Sequence, residues 1–401
     1  MEQANNRLAQ RTAFGILIAL SFSHCFNDLL QSILTAVYPL LKDNMSLSFG
    51  QIGLITLVYQ TSASIFQPIM GIYLDKKPNP WFLPIGMTST MFGLANLAFA
   101  STLHWVLLSV FFVGIGSSIL HPEASRLTSL ASGGKRGMAQ SIFQVGGNLG
   151  GSLGPLLAAI IIAPYGQRNI AFFCILSVIA IMVMIPICRW YKRELRVLKR
   201  RATLVTSVRI ESPLPKRETI FSICILLVLI FSKYVYMASL NSYYTFYLIH
   251  KFGVTVQQSQ LFLFVFLLAT AIGTLIGGPV GDRVGRKYVI WFSILGTAPF
   301  SLLMPHMGLA MTCIMSFLIG LTLSSAFPAI LVYAQELLPY KLGLISGLFF
   351  GFAFGIAGIG SAVLGNLADK HGIDFVYNMC AYMPLIGLVT YFLPNLKKKN
   401  Q

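Results

Sequence analysis

The chain has 401 residues, of which 56% are apolar, and only 29 basic and 12 acidic side chains, for a net charge of +17. Soluble domains carry about 25% charged residues, so this composition excludes a soluble enzyme, a disordered protein and a nucleic-acid binder. The apolar residues come in long runs rather than alternating, which excludes an outer-membrane barrel and leaves a helical integral membrane protein.

A helix needs about 20 apolar residues to cross a bilayer core. Twelve runs of that kind are predicted, at 14–40, 49–74, 81–100, 103–130, 137–162, 169–189, 219–248, 257–280, 287–305, 308–336, 342–368 and 374–393. With the N-terminus in the cytoplasm, 23 of the 29 lysines and arginines fall in cytoplasmic segments. Only Lys42, Arg168, Lys251 and Lys370 fall on the far side, and Arg126 and Lys233 lie inside spans. This is the positive-inside pattern, and it places both termini in the cytoplasm. The first run is too long for a signal peptide and is interrupted by His24, Asn27 and Asp28. The six cysteines show no C-x-x-C spacing and read as free, buried thiols.

A charge at mid-bilayer is expensive and marks a pathway or a site by default. His24, Asp28 and Gln31 fall at i, i+4 and i+7 on one face of the first span, which also reaches Thr35 and Tyr38. Asp28 is the first choice for a proton carrier, because a carboxylate removed from water favours its neutral form. In the fourth span Glu123 and Arg126 share one face, with His121 and Ser125 on the other, and Pro122 frees the carbonyl of Ser118. A local Glu123–Arg126 pair is one reading. Competition for Arg126 between Glu123, Asp28 and an anionic cargo is the other, with His121 as a possible relay. In the fifth span Gln140, Gln144 and Asn148 form a polar stripe that suits a cavity wall. Gly146, Gly150 and Gly154 line a different face for close packing, as do Gly273, Gly277 and Gly281, and Gly343, Gly347, Gly351 and Gly355. These glycine rows are expected at sliding contacts of the two halves. The seventh span carries Lys233 near its middle, with Tyr236, Asn241, Tyr244 and Tyr247 on or near its face. Lys233 needs a counter-ion, either a carboxylate or an anionic cargo.

The basic segment 191–218 separates a bundle of six spans over 1–190 from a second over 219–401. The halves repeat at a fixed offset. Gly71, Asp75 and Lys76 match Gly278, Asp282 and Arg283 207 residues later, as Ser48 matches Thr255 and Ser117-Ser118 matches Ser324-Ser325.

Gly278-x-x-x-Asp282-Arg283-x-Gly285-Arg286-Lys287 resembles the signature loop of the major facilitator superfamily in full. The first copy keeps Gly71, Asp75 and Lys76 but continues Lys77-Pro78-Asn79-Pro80. Ser23-His24-x-x-Asn27-Asp28, His121-Pro122-Glu123, the run from Gln140 to Asn148, Phe231-Ser-Lys233-Tyr and the run from Gly347 to Gly355 are similar to bacterial drug exporters of that superfamily. The resemblance implies an all-α fold of twelve transmembrane helices in two pseudo-symmetric six-helix halves. It also implies proton-driven efflux of an anionic phosphonate drug across the inner membrane by a monomer without cofactor or metal. Expected proton-coupling residues are Asp28, His24, Glu123 and His121. Expected cargo-binding residues are Arg126, Lys233, Gln31, Gln144, Asn148, Tyr236, Asn241 and Tyr244. Asp75, Asp282, Arg283 and Arg286 are expected in gating loops. Uptake or exchange of a phosphate- or carboxylate-bearing metabolite would use the same basic residues. A membrane enzyme with His24/Asp28 or His121/Glu123 as metal ligands is disfavoured, because a metal site needs three or four convergent donors.

Overall fold

The computed structural model describes residues 12–47, 49–157, 161–162, 165–204, 213–254 and 256–396, and all regular structure among them is helical. The N-caps expected at Ser48 and Thr255, and the basic residues Arg7, Arg11, Arg209 and Lys397 to Lys399, lie outside these residues. So do the side chains of Thr35 and Tyr38. In chain order the α-helices are α1 (Phe14–Ala36), α2 (Tyr38–Met45), α3 (Phe49–Lys76), α4 (Phe82–Phe99), α5 (Leu103–Ala131), α6 (Arg136–Leu157), α7 (Cys174–Leu204) and α8 (Lys216–Phe252). There follow α9 (Val256–Val284), α10 (Arg286–Leu295), α11 (Ala298–Leu303), α12 (Leu309–Leu323), α13 (Ala326–Leu337), α14 (Leu342–His371) and α15 (Ile373–Ala381).

Ten helical segments among the described residues are long and apolar enough to cross a membrane. They coincide with ten of the twelve expected runs. The other two runs are also helical, as α3 and α6, but Gln51, Gln60 and Gln67 in one and Gln140, Gln144 and Asn148 in the other lower their hydropathy. Three spans are broken where proline or serine interrupts the backbone ladder. Gly296 and Pro299 divide α10 from α11, and Pro384 opens a 3-10 segment over Met383–Phe392 after α15. The third break, at Ser324-Ser325, falls four residues before Pro328, whose missing N–H leaves the Ser324 carbonyl without its helical donor. The sixth expected span ends at residue 189, whereas α7 continues as one helix to Leu204 and takes in the first part of the expected linker.

The chain forms two compact units. The first holds the residues up to 211 together with Leu338–Gly351, and the second holds 212–337 and 352–401. In the first unit, α1 and α6 touch almost backbone to backbone. A Cβ on Gly146 would run into the carbonyl of Ser21, and one on Gly150 into that of Cys25. One on Gly154 would meet Ser32 Oγ. The start of α14 joins α3 in the same way, with Gly343, Gly347 and Gly351 stepping along Gly71, Gln67 and Ser64. In the second unit, Gly273 and Gly277 abut Leu321 and Ser325. The Gly146 and Gly273 rows therefore pack inside one half, whereas Gly343, Gly347 and Gly351 pack against α3 of the first half, where a contact between the halves is expected.

Small residues that let helices approach closely are a general device of membrane bundles, and an inserted side chain forces them apart. Gly146→Val is expected to lower the thermal unfolding midpoint of the purified protein by several degrees, since overpacking costs about 1–3 kcal/mol. Gly151→Ala faces open space and is expected to leave the midpoint unchanged or slightly raised. Equal behaviour of the two variants would remove the close α1–α6 contact as a source of stability.

Candidate functional site

The first unit gathers a buried polar cluster where α1 meets α5. Asp28 lies between two histidines, with His24 Nε2 3.2 Å from Oδ2 and His121 Nε2 3.3 Å from Oδ1. The histidines are 2% and 0% exposed. Each ring is held from behind: His24 Nδ1 donates to the Phe143 carbonyl at 2.8 Å, and His121 Nδ1 to the Ser117 carbonyl at 3.0 Å. A carbonyl oxygen only accepts, so His24 Nδ1 carries hydrogen, while His121 Nδ1 also lies 3.1 Å from Ser117 Oγ. A bare Nε2 would then set its lone pair against a carboxylate oxygen. Satisfying both contacts therefore takes two protons, shared among two rings and one carboxylate. Asn27 donates a further hydrogen bond to Asp28 Oδ1 at 3.0 Å.

Packing fixes this arrangement. The Phe143 ring stacks on His24 at 4.0 Å, and Phe350 lies against His121 at 5.2 Å. Gly147 provides the room, because a Cβ there would sit 2.6 Å from His24 Nε2 and 2.7 Å from Asp28 Oδ2. The network continues through Gln31, whose Oε1 accepts from Ser117 Oγ at 3.1 Å and from Tyr59 Oη at 2.6 Å. His24, Asp28 and Gln31 share a face as their spacing predicts, and the fold brings His121 to them from α5. Tyr59 and Gly147 join them without a sequence signal of their own. The donor atoms of His24, Asp28 and His121 lie within 4.8 Å of one another, the convergence that the paired residues in the sequence did not offer.

A second cluster occupies the opposite face of α5. Arg126 forks onto Glu123, with Nε to Oε2 at 2.9 Å and a terminal nitrogen to Oε1 at 2.8 Å. The same nitrogen donates to Tyr191 Oη at 2.5 Å. The local pair of the sequence reading is therefore formed, with a third member from α7. Tyr191 falls in the stretch expected to be linker, yet it is fully buried. The polar stripe of α6 is split. Gln140 is a buried strut donating to Ser125 O at 2.8 Å and Ser129 Oγ at 3.2 Å, not a cavity wall. Gln144 and Asn148 are half-buried.

In the second unit Lys233 is 5% exposed and has no carboxylate partner among the described residues. Its Nζ approaches the Ser324 carbonyl at 3.5 Å, the one released by Pro328, and lies over the Tyr234 and Phe327 rings at 5.4 and 5.7 Å. Tyr236 and Tyr244 are buried, and Tyr244 donates to Ser316 Oγ at 2.9 Å. Asn241 departs from the expectation. It is exposed, because five residues after Tyr236 the helix has turned to another face.

The two signature loops differ in build. Asp75 caps α14, with Oδ1 accepting from the Gly343 N–H and Oδ2 from the Leu344 N–H, both at 2.8 Å. A helix N-terminus leaves these donors unpaired and favours negative charge. In the second loop Arg286 pairs with Asp282 at 2.7 Å and with Glu336 at 3.2 Å. Arg283 is exposed. Gly285 has φ +118°, a conformation that excludes other residues, and the first copy replaces that turn with one in which Asn79 Oδ1 accepts the Trp81 N–H at 3.0 Å.

This combination of apolar helices, two signature loops and a few buried ionisable groups agrees with comparison to known proteins. The chain is 55% identical over 392 residues to the fosmidomycin resistance protein of Escherichia coli K12, covering 97% of this chain and 95% of that protein. It is 40% identical over 390 residues to the uncharacterized MFS-type transporter YfnC of Bacillus subtilis, with the same shares covered. The human organic anion transporter MFSD10 has the same fold, with a TM-score of 0.75 at 14% identity, covering 96% of this chain and 100% of that one. The model of the Major Facilitator Superfamily matches residues 20–247 and 225–401. The chain is a multi-pass membrane transporter, not an enzyme, and belongs to the Major Facilitator Superfamily.

Proposed function

We propose that this transporter exports fosmidomycin, or an anionic phosphonate like it, in exchange for protons. In this reading it works as a monomer by alternating access in the inner membrane, with six-helix halves at 1–190 and 219–401, the basic linker 191–218 and both termini in the cytoplasm. The observation that carries the reading is Asp28 held between two histidines whose other nitrogens are tied to carbonyls. Loss of a proton from this group leaves a lone pair facing a carboxylate oxygen, which favours the parting of that contact. The cargo class rests on the name of the Escherichia coli relative and on Lys233, a buried lysine near the Ser324 carbonyl and two aromatic rings with no carboxylate partner among the described residues.

Cargo and protons are coupled through shared partners. An entering phosphonate competes with Glu123 for the Arg126 fork, which suits tetrahedral oxyanions. A buried carboxylate left without its guanidinium is costly, so the fork returns to Glu123 once the anion has left, and the protons exchanged are those of the Asp28 triad. Lys233 supplies a point charge for an anionic cargo, and protonation of the triad returns the transporter. Asp75, Asp282, Arg283 and Arg286 set the balance of conformations rather than binding cargo.

In proteoliposomes with an imposed pH gradient, Asp28→Asn is expected to reduce proton-driven fosmidomycin transport to the level of empty liposomes while exchange persists. Unchanged proton-driven transport would clear Asp28 of the role. A sugar phosphate carried in place of fosmidomycin in the same assay would assign the chain to metabolite uptake or exchange. Lys233→Gln is expected to weaken fosmidomycin binding about 10- to 100-fold, the worth of a hydrogen bond to a charged group at about 1.5–3 kcal/mol. Binding of a neutral drug should change little, and equal losses for both would make Lys233 structural.

A further inference from the structure

A groove of about 330 Å³ opens on the first unit, lined by Pro80, Trp81, Lys192, Leu195 and Arg196. It belongs to none of the charged clusters above. The turn between α3 and α4 forms one wall and is fixed to α7, since Cys188 Sγ donates to the Pro80 carbonyl at 2.8 Å. Lys192 and Arg196, both exposed, lie one turn apart on α7 and form the other wall. Trp81 is 49% exposed beside them. Lys76 and Lys77 are exposed on the same turn, and Arg189 and Arg193 on the same helix, whereas Glu194 lies on a different face.

The groove sits where a membrane span ends, because the apolar segment Gln167–Val197 runs out at these residues. Tryptophan settles at the headgroup level of a bilayer, and clustered Lys/Arg next to a span attract anionic lipid. Arg196 brings a planar fork for phosphate oxygens and Lys192 a point charge. Trp81 and Leu195 supply apolar surface for the glycerol and upper acyl region. We propose that this groove binds the headgroup of an anionic phospholipid, which bridges the α3–α4 turn to α7. The site is independent of the cargo reading.

The test uses the full chain in vesicles, with Trp81 kept as the only tryptophan by replacing Trp105, Trp190 and Trp291 with Phe. Quenching of Trp81 by brominated phosphatidylglycerol is compared with quenching by brominated phosphatidylcholine. Phosphatidylglycerol is expected to be preferred at least about fivefold, the worth of one cationic side chain near the surface. Lys192→Gln with Arg196→Gln should bring the ratio to about one, while Lys192→Arg with Arg196→Lys should keep it. Native mass spectrometry of the chain with all four tryptophans reads the same comparison and covers the case in which the Phe variants fail to fold. Equal affinity for the two lipids, or a preference that survives the double Gln variant, would overturn the proposal. Loss of the preference in millimolar inorganic phosphate would also overturn it, since the groove would then be a general oxyanion site.

Discussion

The interaction on which the rest depends is the pair of contacts between Asp28 and its two histidines, made inside a membrane bundle. Asp28 is half-buried, where leaving a carboxylate unpaired is still costly, and the chain meets that cost with three helices. α1 supplies His24 and Asp28, α5 supplies His121, and the backbone carbonyls of Ser117 and Phe143 orient the rings. Much of the surrounding architecture serves this arrangement. Gly147 is empty where His24 and Asp28 need space, and Phe143 and Phe350 close over the rings.

Two polar systems on α5 divide along its faces. His121 and Ser117 belong to the Asp28 network, and Ser125 braces Gln140. Glu123 and Arg126, facing the other way, close on Tyr191. One helix therefore presents a histidine face and a guanidinium face that do not share a hydrogen bond among the described residues. Pro122 stands between them, and a second proline, Pro328, releases the carbonyl that meets Lys233. At Pro328 the proline makes a backbone carbonyl available at depth, and Lys233 approaches it.

Much of this was legible in the sequence because membrane spans obey simple rules. Length and apolarity located the spans, and helical spacing placed His24, Asp28 and Gln31 on one face and Glu123 with Arg126 on another. Contacts between helices distant in sequence were not legible. That His121 meets Asp28, and that Tyr191 completes the Arg126 fork, depends on how α5 packs against α1 and α7, which no spacing encodes. Tyr191 was hidden because a run of arginines and lysines follows it, and charge there reads as linker although the helix continues. Around Lys233 the helix buries Tyr236 and Tyr244 but turns Asn241 outward, a difference that nearness in sequence to Lys233 does not reveal.

The glycine contact between α1 and α6 bears on how the transporter moves. With the carbonyls of Ser21 and Cys25 set against Gly146 and Gly150, neither helix has a side-chain layer over which to slip. The two behave as a single rigid plate carrying both Asp28 and its wall. Any movement that parts Asp28 from His121 must then be a tilt of α5 against that plate, and a tilt of one proline-bearing rod is a motion in which a small angle opens a narrow wedge for water.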